Sequence, residues 1–361
     1  MKIMHIEAGR HLYGGAQQVI YLMQGLQQLA IDNILVCPVD SEVGKAAEAL
    51  ATVLPVSMKG DLDIGLYFRL KRLIKQHKPD IVHVHSRRGA DLWGRLAANH
   101  LQVPVICSRR VDNTEPGWFA RWKYHGYQHV ITISEGIRRV LLAEGVNPQH
   151  VTTVHSSVDL SKFNLAPNRD WLNNEFNLSG EDFVIANFAQ MIERKGQRML
   201  IENFSKILDV LPQAKLLLFG KGPKKEEYQA LVEERGLQTS IKFPGFRSEM
   251  PQIMSSVDLV VHPASMEGLG VALLQSAACR KAIVATAAGG IPEIVINQHN
   301  GALLSIGDSD GVTKAIIELG GDDNKRHEMG MRGRTLVEET FSIDAMSKGN
   351  LAVYKQVLAG Y

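Results

Sequence analysis

Only three cysteines, Cys37, Cys107 and Cys279, occur in the 361 residues. They are odd in number, far apart and set among apolar neighbours. That pattern argues against a disulfide framework or a zinc cluster and fits buried thiols in a reducing compartment. No run of eighteen apolar residues exists, so no transmembrane helix is expected. No signal peptide opens the chain: Lys2 to Ala8 already reads as a strand, without an n-region, an h-region or a cleavage site. The sequence therefore predicts a cytoplasmic protein. Internal repeats and low-complexity tracts are absent. A strong net charge is missing too, at +2 overall, and with no matching motif this counts against a nucleic-acid partner. Metal motifs are mimicked only. Asp61-Leu62-Asp63 and Asp308-Ser309-Asp310 look like D-x-D pairs, but both sit in polar turns just before helices, where Asp is a common N-cap. No metal ligand is expected.

What is present is an alternation. In the first half the strands KIMHIEA, NILVCPV, DIVHVH, VPVICS, HVITIS and VTTVHS are separated by helical stretches of 10–15 residues. The helices are expected over 16–29, 65–77, 90–99 and 135–144. This is the signature of parallel βαβ units and of a doubly wound sheet. Residues 161–177 lapse into polar, Asn-rich sequence that reads as a linker. The alternation then restarts with DFVIANFAQ, AKLLLFG, SIKFPGF, DLVVHP and AIVATA. The length, too great for one comfortable core, also calls for two α/β domains.

Open α/β sheets bind ligands beyond the carboxyl ends of their strands, so candidate residues are those just after strands. Gly14-Gly15 heads a helix, either as a simple tight turn or as a place where backbone N–H groups approach a phosphate. His83 and His85 share one face of their strand, and His85 stands at its end. Arg194 and Lys195 follow the first strand of the second half. Gly220 and Gly222 follow the next, but the third glycine of a dinucleotide fingerprint is Lys225, so that motif is incomplete. Phe246 and Arg247 follow SIKFPGF. Glu267 ends a loop before an apolar helix expected over 269–278. A helix start welcomes an anion, whereas a carboxylate there suits the hydroxyl donors of a sugar.

The stretch DLVVHPASMEGLGVALLQSAACRKAIVATAAGGIPEIV, from Asp258 to Val295, resembles the nucleotide-sugar site of glycosyltransferase family 4, usually E-G-F-G-x-x-x-x-E. The likeness extends through Gly14-Gly15, His85, the S-E-G-I-R segment from Ser134, Val158-Asp159, Lys195-Gly196 and the G-G-I-P-E turn from Gly289. It implies the GT-B fold, two Rossmann-like domains facing a cleft. These would be 1–165, joined by a final helix over 342–361, as the acceptor domain, and 166–341 as the donor domain. It further implies a retaining, metal-independent transferase without cofactor, with a nucleotide sugar as donor. Front-face attack would be assisted by the departing phosphate. Glu267 would orient the sugar, His85 would lie beside it, and Lys195 with Gly14-Gly15 would stabilise the leaving diphosphate. Backbone groups of Leu269, Gly270 and Val271 would approach the phosphates. Gly220, Gly222, Phe246 and Arg247 would lie near the nucleotide.

Three positions depart from the family pattern. Gln190 stands where an R-x-x-x-x-K clamp has Arg, with Arg194 as a possible substitute. Gln275 replaces the second glutamate, which exchanges a charge-assisted hydrogen bond for a neutral one at a loss of about 1 kcal/mol. Ser156-Ser157 replaces Asn-Gly. A non-catalytic nucleotide-sugar-binding protein and a nucleotide-sugar epimerase are the alternatives.

Charge is uneven along the chain. Residues 64–140 hold 14 Lys and Arg against 5 Asp and Glu. Arg87, Arg88, Arg109 and Arg110 come directly after strand ends and are the acceptor-side candidates. Trp118, Phe119, Trp122 and Tyr124 interleave with Arg121 and Lys123, a mixture that suits an anionic membrane interface or a solvated helix with its aromatics packed inward. By resemblance, the acceptor is an anionic lipid-linked or saccharide molecule of lipopolysaccharide-core or surface-polysaccharide synthesis.

Overall fold

The computed structural model describes residues 1–85 and 89–360. Arg87 and Arg88 lie outside the described residues. The chain divides into two compact units, Met1–Ser157 with Ser342–Tyr361, and Val158–Phe341. The division falls at Ser157/Val158 and not after residue 165. Residues 158–165 are tied to the second unit, where the Val158 N–H donates to the Phe341 carbonyl at 2.9 Å and Arg334 Nη1 donates to the Phe163 carbonyl at 3.1 Å.

The first unit carries strands β1 (Lys2–Ile6), β2 (Asp32–Pro38), β3 (Thr52–Val56), β4 (Ile81–Val84), β5 (Val105–Arg109), β6 (His129–Thr132) and β7 (Val151–Thr153). They form one sheet in the order β3-β2-β1-β4-β5-β6-β7, and its pairings are parallel. The order reverses between β1 and β4, which is where a doubly wound sheet opens its ligand crevice. The edge strand β3 is not apparent from TVLPV because Pro55 interrupts it. At an edge, the missing N–H of proline leaves no ladder bond unmade.

The second unit repeats the plan with β8 (Phe183–Phe188), β9 (Ala214–Phe219), β10 (Ile241–Gly245), β11 (Leu259–His262), β12 (Ile283–Thr286) and β13 (Gly301–Leu304). Their order is β10-β9-β8-β11-β12-β13, again parallel and reversing between β8 and β11. β8, β11 and β12 are buried along their whole length, as strands covered on both faces must be.

The stretch read as a linker contains a helix, Arg169–Phe176. The Asn168 side chain accepts from the Trp171 N–H at 3.0 Å, and Asn177 ends the helix in the left-handed region at φ 49°. Asparagine is favoured at both helix ends, so the asparagines that look like loop composition are its caps. Only Leu172 and Phe176 are buried, which leaves the other faces polar.

The last helix, Ile343–Ala359, belongs to the first unit and packs on the helix Gly14–Gln28. Contact is close at Gly25, where a Cβ would stand 2.0 Å from Ser347 Oγ. Met346, Val353, Tyr354 and Val357 join Ile3, Tyr21, Leu22 and Leu26 in one apolar cluster. Each such buried side chain contributes about 1.5–3 kcal/mol. Among the described residues, no helix is long and apolar enough to cross a membrane.

Candidate functional site

In the second unit the site grows out of β11. Its last residue, His262, is buried, and the chain leaves the sheet through Pro263 to reach Glu267. There Glu267 Oε2 accepts from Lys195 Nζ at 2.5 Å and from His262 Nε2 at 3.0 Å. Lys195 is itself buried, at 8% exposure, in the turn that follows β8. Burial alone would raise the pKa of Glu267. The His262 hydrogen bond and the Lys195 charge outweigh it and bring the pKa down to about 2. Glu267 is thus a fixed anion, weak as base and as nucleophile, with Oε1 left to meet a partner.

Backbone geometry holds this pair in place. Gly196 has φ +74°, and a Cβ there would meet the Pro263 carbonyl oxygen at 2.1 Å. The Ser265 N–H donates to the Arg194 carbonyl at 2.9 Å. The loops after β8 and β11 are therefore bound directly together. The helix Val271–Ala278 follows, led by Gly270 at φ +100°, with no side-chain cap and no acidic residue in its first turn. Leu269 and Gly270 are buried, and Val271 and Gln275 are half-buried. A helix start of this kind carries partial positive charge towards an anion.

The other donor-side candidates are distributed around the same strand ends. Gln190 is exposed, and its carbonyl accepts from Gln197 Nε2 at 2.9 Å. Arg194 is exposed, with Nη1 at 3.3 Å from Met266 Sδ. Gly220 and Gly222 have an internal reason to be glycine. A Cβ would stand 2.0 Å from the Ala189 carbonyl oxygen at the first and 2.3 Å from that of Met191 at the second. They press the turn after β9 onto the Gln190 loop. Phe246 is 61% exposed, with Lys221 Nζ 5.5 Å from its ring centre. Arg247 is engaged within its own unit, paired with Glu175 and with Glu249 at 3.6 Å.

In the first unit a cavity of about 470 Å³ opens at the ends of β1, β4 and β5. Gly15, His85, Arg109 and Arg110 line it, with Glu7, Arg10, Tyr13 and Lys123. Gly14 and Gly15 begin the helix Gly14–Gln28, again without a side-chain cap or an acidic first turn. Among the described residues, a Cβ would meet nothing within 4 Å at Gly14 and only Arg110 Cδ, at 3.6 Å, at Gly15. Folding does not demand these two glycines; room in front of the helix start explains them better.

The arginines here differ. Arg109 is buried at 3% exposure and commits its donors to its own loop: Nε to the Val111 carbonyl at 2.9 Å, Nη1 to Tyr124 Oη at 2.8 Å, Nη2 to the Asn113 carbonyl. It also pairs with Glu115 at 3.3 Å. It shapes the cavity wall. Arg110 places Nη2 3.4 Å from His85 Nδ1, while its buried Nε has no hydrogen-bond partner among the described residues.

Behind the cavity three buried histidines, His5, His83 and His85, come together close enough to suggest a metal. Their ring nitrogens are instead engaged: His5 with His85 and Asn33, His83 with Tyr354 and Ser108, His85 with His5 and Arg110. A cation would have to displace these bonds beside a guanidinium. The acidic D-x-D mimics are likewise occupied. Asp308 caps its helix by accepting from the Gly311 N–H at 2.8 Å. Asp63 heads a helix without capping it, and accepts from Arg69 at 2.6 Å and from the Lys59 N–H at 3.0 Å. Of the aromatics, Trp118 and Trp122 are exposed, Phe119 is half-buried and Tyr124 is buried.

Residues 13–162 match the family described as Glycosyltransferase Family 4, and residues 168–336 match Glycosyl transferases group 1. The two matches run in succession through both units. The chain belongs to the group 1 glycosyltransferases. This glycosyltransferase is 28% identical to the lipopolysaccharide core biosynthesis glycosyltransferase LpsE of Rhizobium meliloti, over 99% of both chains. It is 23% identical to the N-acetyl-alpha-D-glucosaminyl L-malate synthase of Bacillus anthracis, over 82% of this chain and 80% of that one. Its fold is GT-B. The crystal structure of Anabaena HepE in complex with UDP superimposes with a TM-score of 0.86 at 19% identity, covering 99% of this chain and 100% of that one.

Burial lowers the pKa of His5 from the ordinary 6.5 to about 4 and holds His83 and His85 well below 6.5. On acidification the unfolded chain takes up these protons first, so stability is full above pH 6.5 and falls towards pH 4. The slope per neutral buried histidine is about 1.4 kcal/mol per pH unit. Urea unfolding of the glycosyltransferase from pH 7.5 to 4.5 is expected to show this decline. A flat profile would mean that the rings are charged in the folded protein.

Proposed function

We propose that this glycosyltransferase is retaining and metal-independent, and that it moves a sugar from a nucleoside-diphosphate sugar to an anionic lipid-linked or saccharide acceptor in cell-envelope glycan synthesis. The observation that carries this reading is the buried Lys195–Glu267 pair beside the uncapped start of the helix Val271–Ala278. A diphosphate needs positive charge, which Lys195 and the helix start supply within the protein, with Arg194 nearby. A sugar needs hydrogen-bond acceptors, which Glu267 supplies. Because Glu267 is held by two donors and is a poor base, it is assigned to orient sugar hydroxyls. Attack assisted by the departing phosphate then needs no protein carboxylate as nucleophile.

The acceptor is assigned to the first unit's cavity, where Arg10, Arg110 and Lys123 outnumber Glu7 and Asp91 among the lining side chains. Trp118 at 70% exposure and Trp122 at 55%, beside Arg121, favour a peripheral contact with an anionic membrane on its cytoplasmic side. LpsE, by its name, acts in lipopolysaccharide core synthesis, and HepE was crystallised with UDP; both agree with this reading.

The test is a panel of UDP-, GDP- and ADP-sugars, with EDTA present, assayed by thermal shift and then for transfer to membrane lipid extracts. One donor should stabilise the wild type, by about 2.7 kcal/mol at a hundredfold excess over its Kd, and should support transfer with retained anomeric configuration. A flat panel from well-folded protein would overturn the donor site, and inversion at the anomeric carbon would overturn the mechanism.

A further inference from the structure

We propose that Asn33 and His5 are positioning residues that fix the polarity of His85, so that His85 turns a bare Nδ1, an acceptor, towards the cavity. The argument starts at Asn33, buried on β2. Its Nδ2 donates to two carbonyl oxygens, Met23 at 3.0 Å and Leu50 at 3.3 Å. Turning the amide over would press Oδ1 against both oxygens, so its orientation is set. Asn33 Oδ1, which can only accept, then faces His5 Nε2 at 3.2 Å. His5 must carry its hydrogen on Nε2.

A neutral imidazole carries one hydrogen, so His5 Nδ1 is an acceptor. Its partner at 2.9 Å is His85 Nε2, which must therefore donate. His85 Nδ1 is left bare. The far end of the chain agrees independently: the neighbour of His85 Nδ1 is Arg110 Nη2, at 3.4 Å, and a guanidinium can only donate. One arrangement of hydrogens satisfies every link from Met23 to Arg110. His83, packed with its ring centre 3.8 Å from that of His85, stands outside the chain, bound to Tyr354 Oη and Ser108 Oγ at 2.8 Å each.

The consequence concerns what His85 can recognise. A bare nitrogen accepts from a hydroxyl, here by taking the place of Arg110 Nη2 at its long 3.4 Å, and repels a phosphate or carboxylate oxygen. Anionic groups in the cavity fall to Arg110, and a substrate hydroxyl falls to His85. Strand pairing makes this possible, since β1 lies between β2 and β4 and aligns Ile3 with both Asn33 and Ile81, and His5 with His83. The functional half of the inference rests on the assignment of sugar transfer to this protein; the proton positions do not.

The experiment uses full-length protein with 15N-labelled histidine. Two-bond proton–nitrogen correlation spectra separate bare from protonated ring nitrogens. In the wild type, His5 and His85 should each show a protonated Nε2 and a bare Nδ1, unchanged between pH 6 and 8. Asn33→Leu removes the fixed acceptor without touching His85, and should turn His85 into a mixture of the two tautomers. His5→Phe keeps the ring shape, cuts the chain in the middle and should give the same mixture; it serves if Asn33→Leu does not fold.

A protonated Nδ1 on wild-type His85 would overturn the proposal. An unchanged His85 in both variants would overturn the positioning role. With the donor found by the panel, either variant should lower kcat/KM about tenfold, the scale of one orphaned buried hydrogen-bonding group. If the wild type turns over no nucleotide sugar, the transfer assignment fails while the spectra still decide the tautomers.

Discussion

Lys195→Ala is expected to lower sugar-transfer turnover by about 10²–10³-fold, the range found when a preorganised donor to developing negative charge is removed. Two effects act in the same direction. The departing diphosphate loses a buried cation that is held in place before substrate arrives. Glu267 also loses its 2.5 Å partner and keeps only His262, so its unbalanced charge faces the phosphates. A double-mutant cycle with Glu267→Gln separates the two. If Glu267→Gln restores part of the loss, repulsion contributes; if it does not, the loss lies in leaving-group stabilisation. Thermal unfolding of each variant controls for stability. Turnover within threefold of the wild type would place the diphosphate elsewhere.

Gly289→Ala is expected to be the most disruptive small substitution near the donor site. Gly289 has φ +54°, and a Cβ would lie 1.6 Å from the Glu267 carbonyl oxygen. The left-handed backbone alone costs an alanine about 1–2 kcal/mol, and the overlap is with backbone that no rotamer change relieves. The neighbouring Gly290 N–H donates to that same Glu267 carbonyl at 3.3 Å. Any shift that admits the methyl group therefore moves the Glu267 loop. The expected result is a stability loss of at least about 2 kcal/mol together with loss of nucleotide-sugar binding, read by urea unfolding and calorimetry. Gly14→Ala is the control: with none of the described residues within 4 Å of its Cβ, stability should stay within about 0.5 kcal/mol. A Gly289→Ala protein as stable as the Gly14→Ala control would show that the loop yields freely.

How far the sequence reveals this molecule depends on how local each signal is. The buried parallel strands are legible because both their faces are covered and their apolar runs are continuous. Glu267, Lys195 and the glycine pair can be singled out because they stand in the loops that follow such runs. β3 is hidden by Pro55, which only an edge position accommodates. The helix Arg169–Phe176 is hidden because its caps are the same asparagines that mark loops. His262 could have been noticed as a polar residue ending an apolar strand, yet its bond to Glu267 depends on how the loop folds back. His5 interrupts KIMHI in the same way. Its partners Asn33 and His85 are 28 and 80 residues away, a distance no local pattern spans. Arg109 and Arg110 are adjacent and chemically identical in sequence; only the fold turns one into its own loop and leaves the other beside His85.

The discontinuity of the first unit bears on how the protein is made. Its sheet is finished by residue 157, but the helix that covers Ile3, Tyr21, Leu22 and Leu26 is residues 343–359. On the ribosome the N-terminal half must therefore wait, with one apolar face open to water, while nearly two hundred further residues are translated. Meanwhile the second unit, continuous from Val158 to Phe341, has all it needs to fold as it emerges. A segment synthesised after the whole second unit completes the first unit, and a nascent chain stalled before Ser342 would present that open face to chaperones.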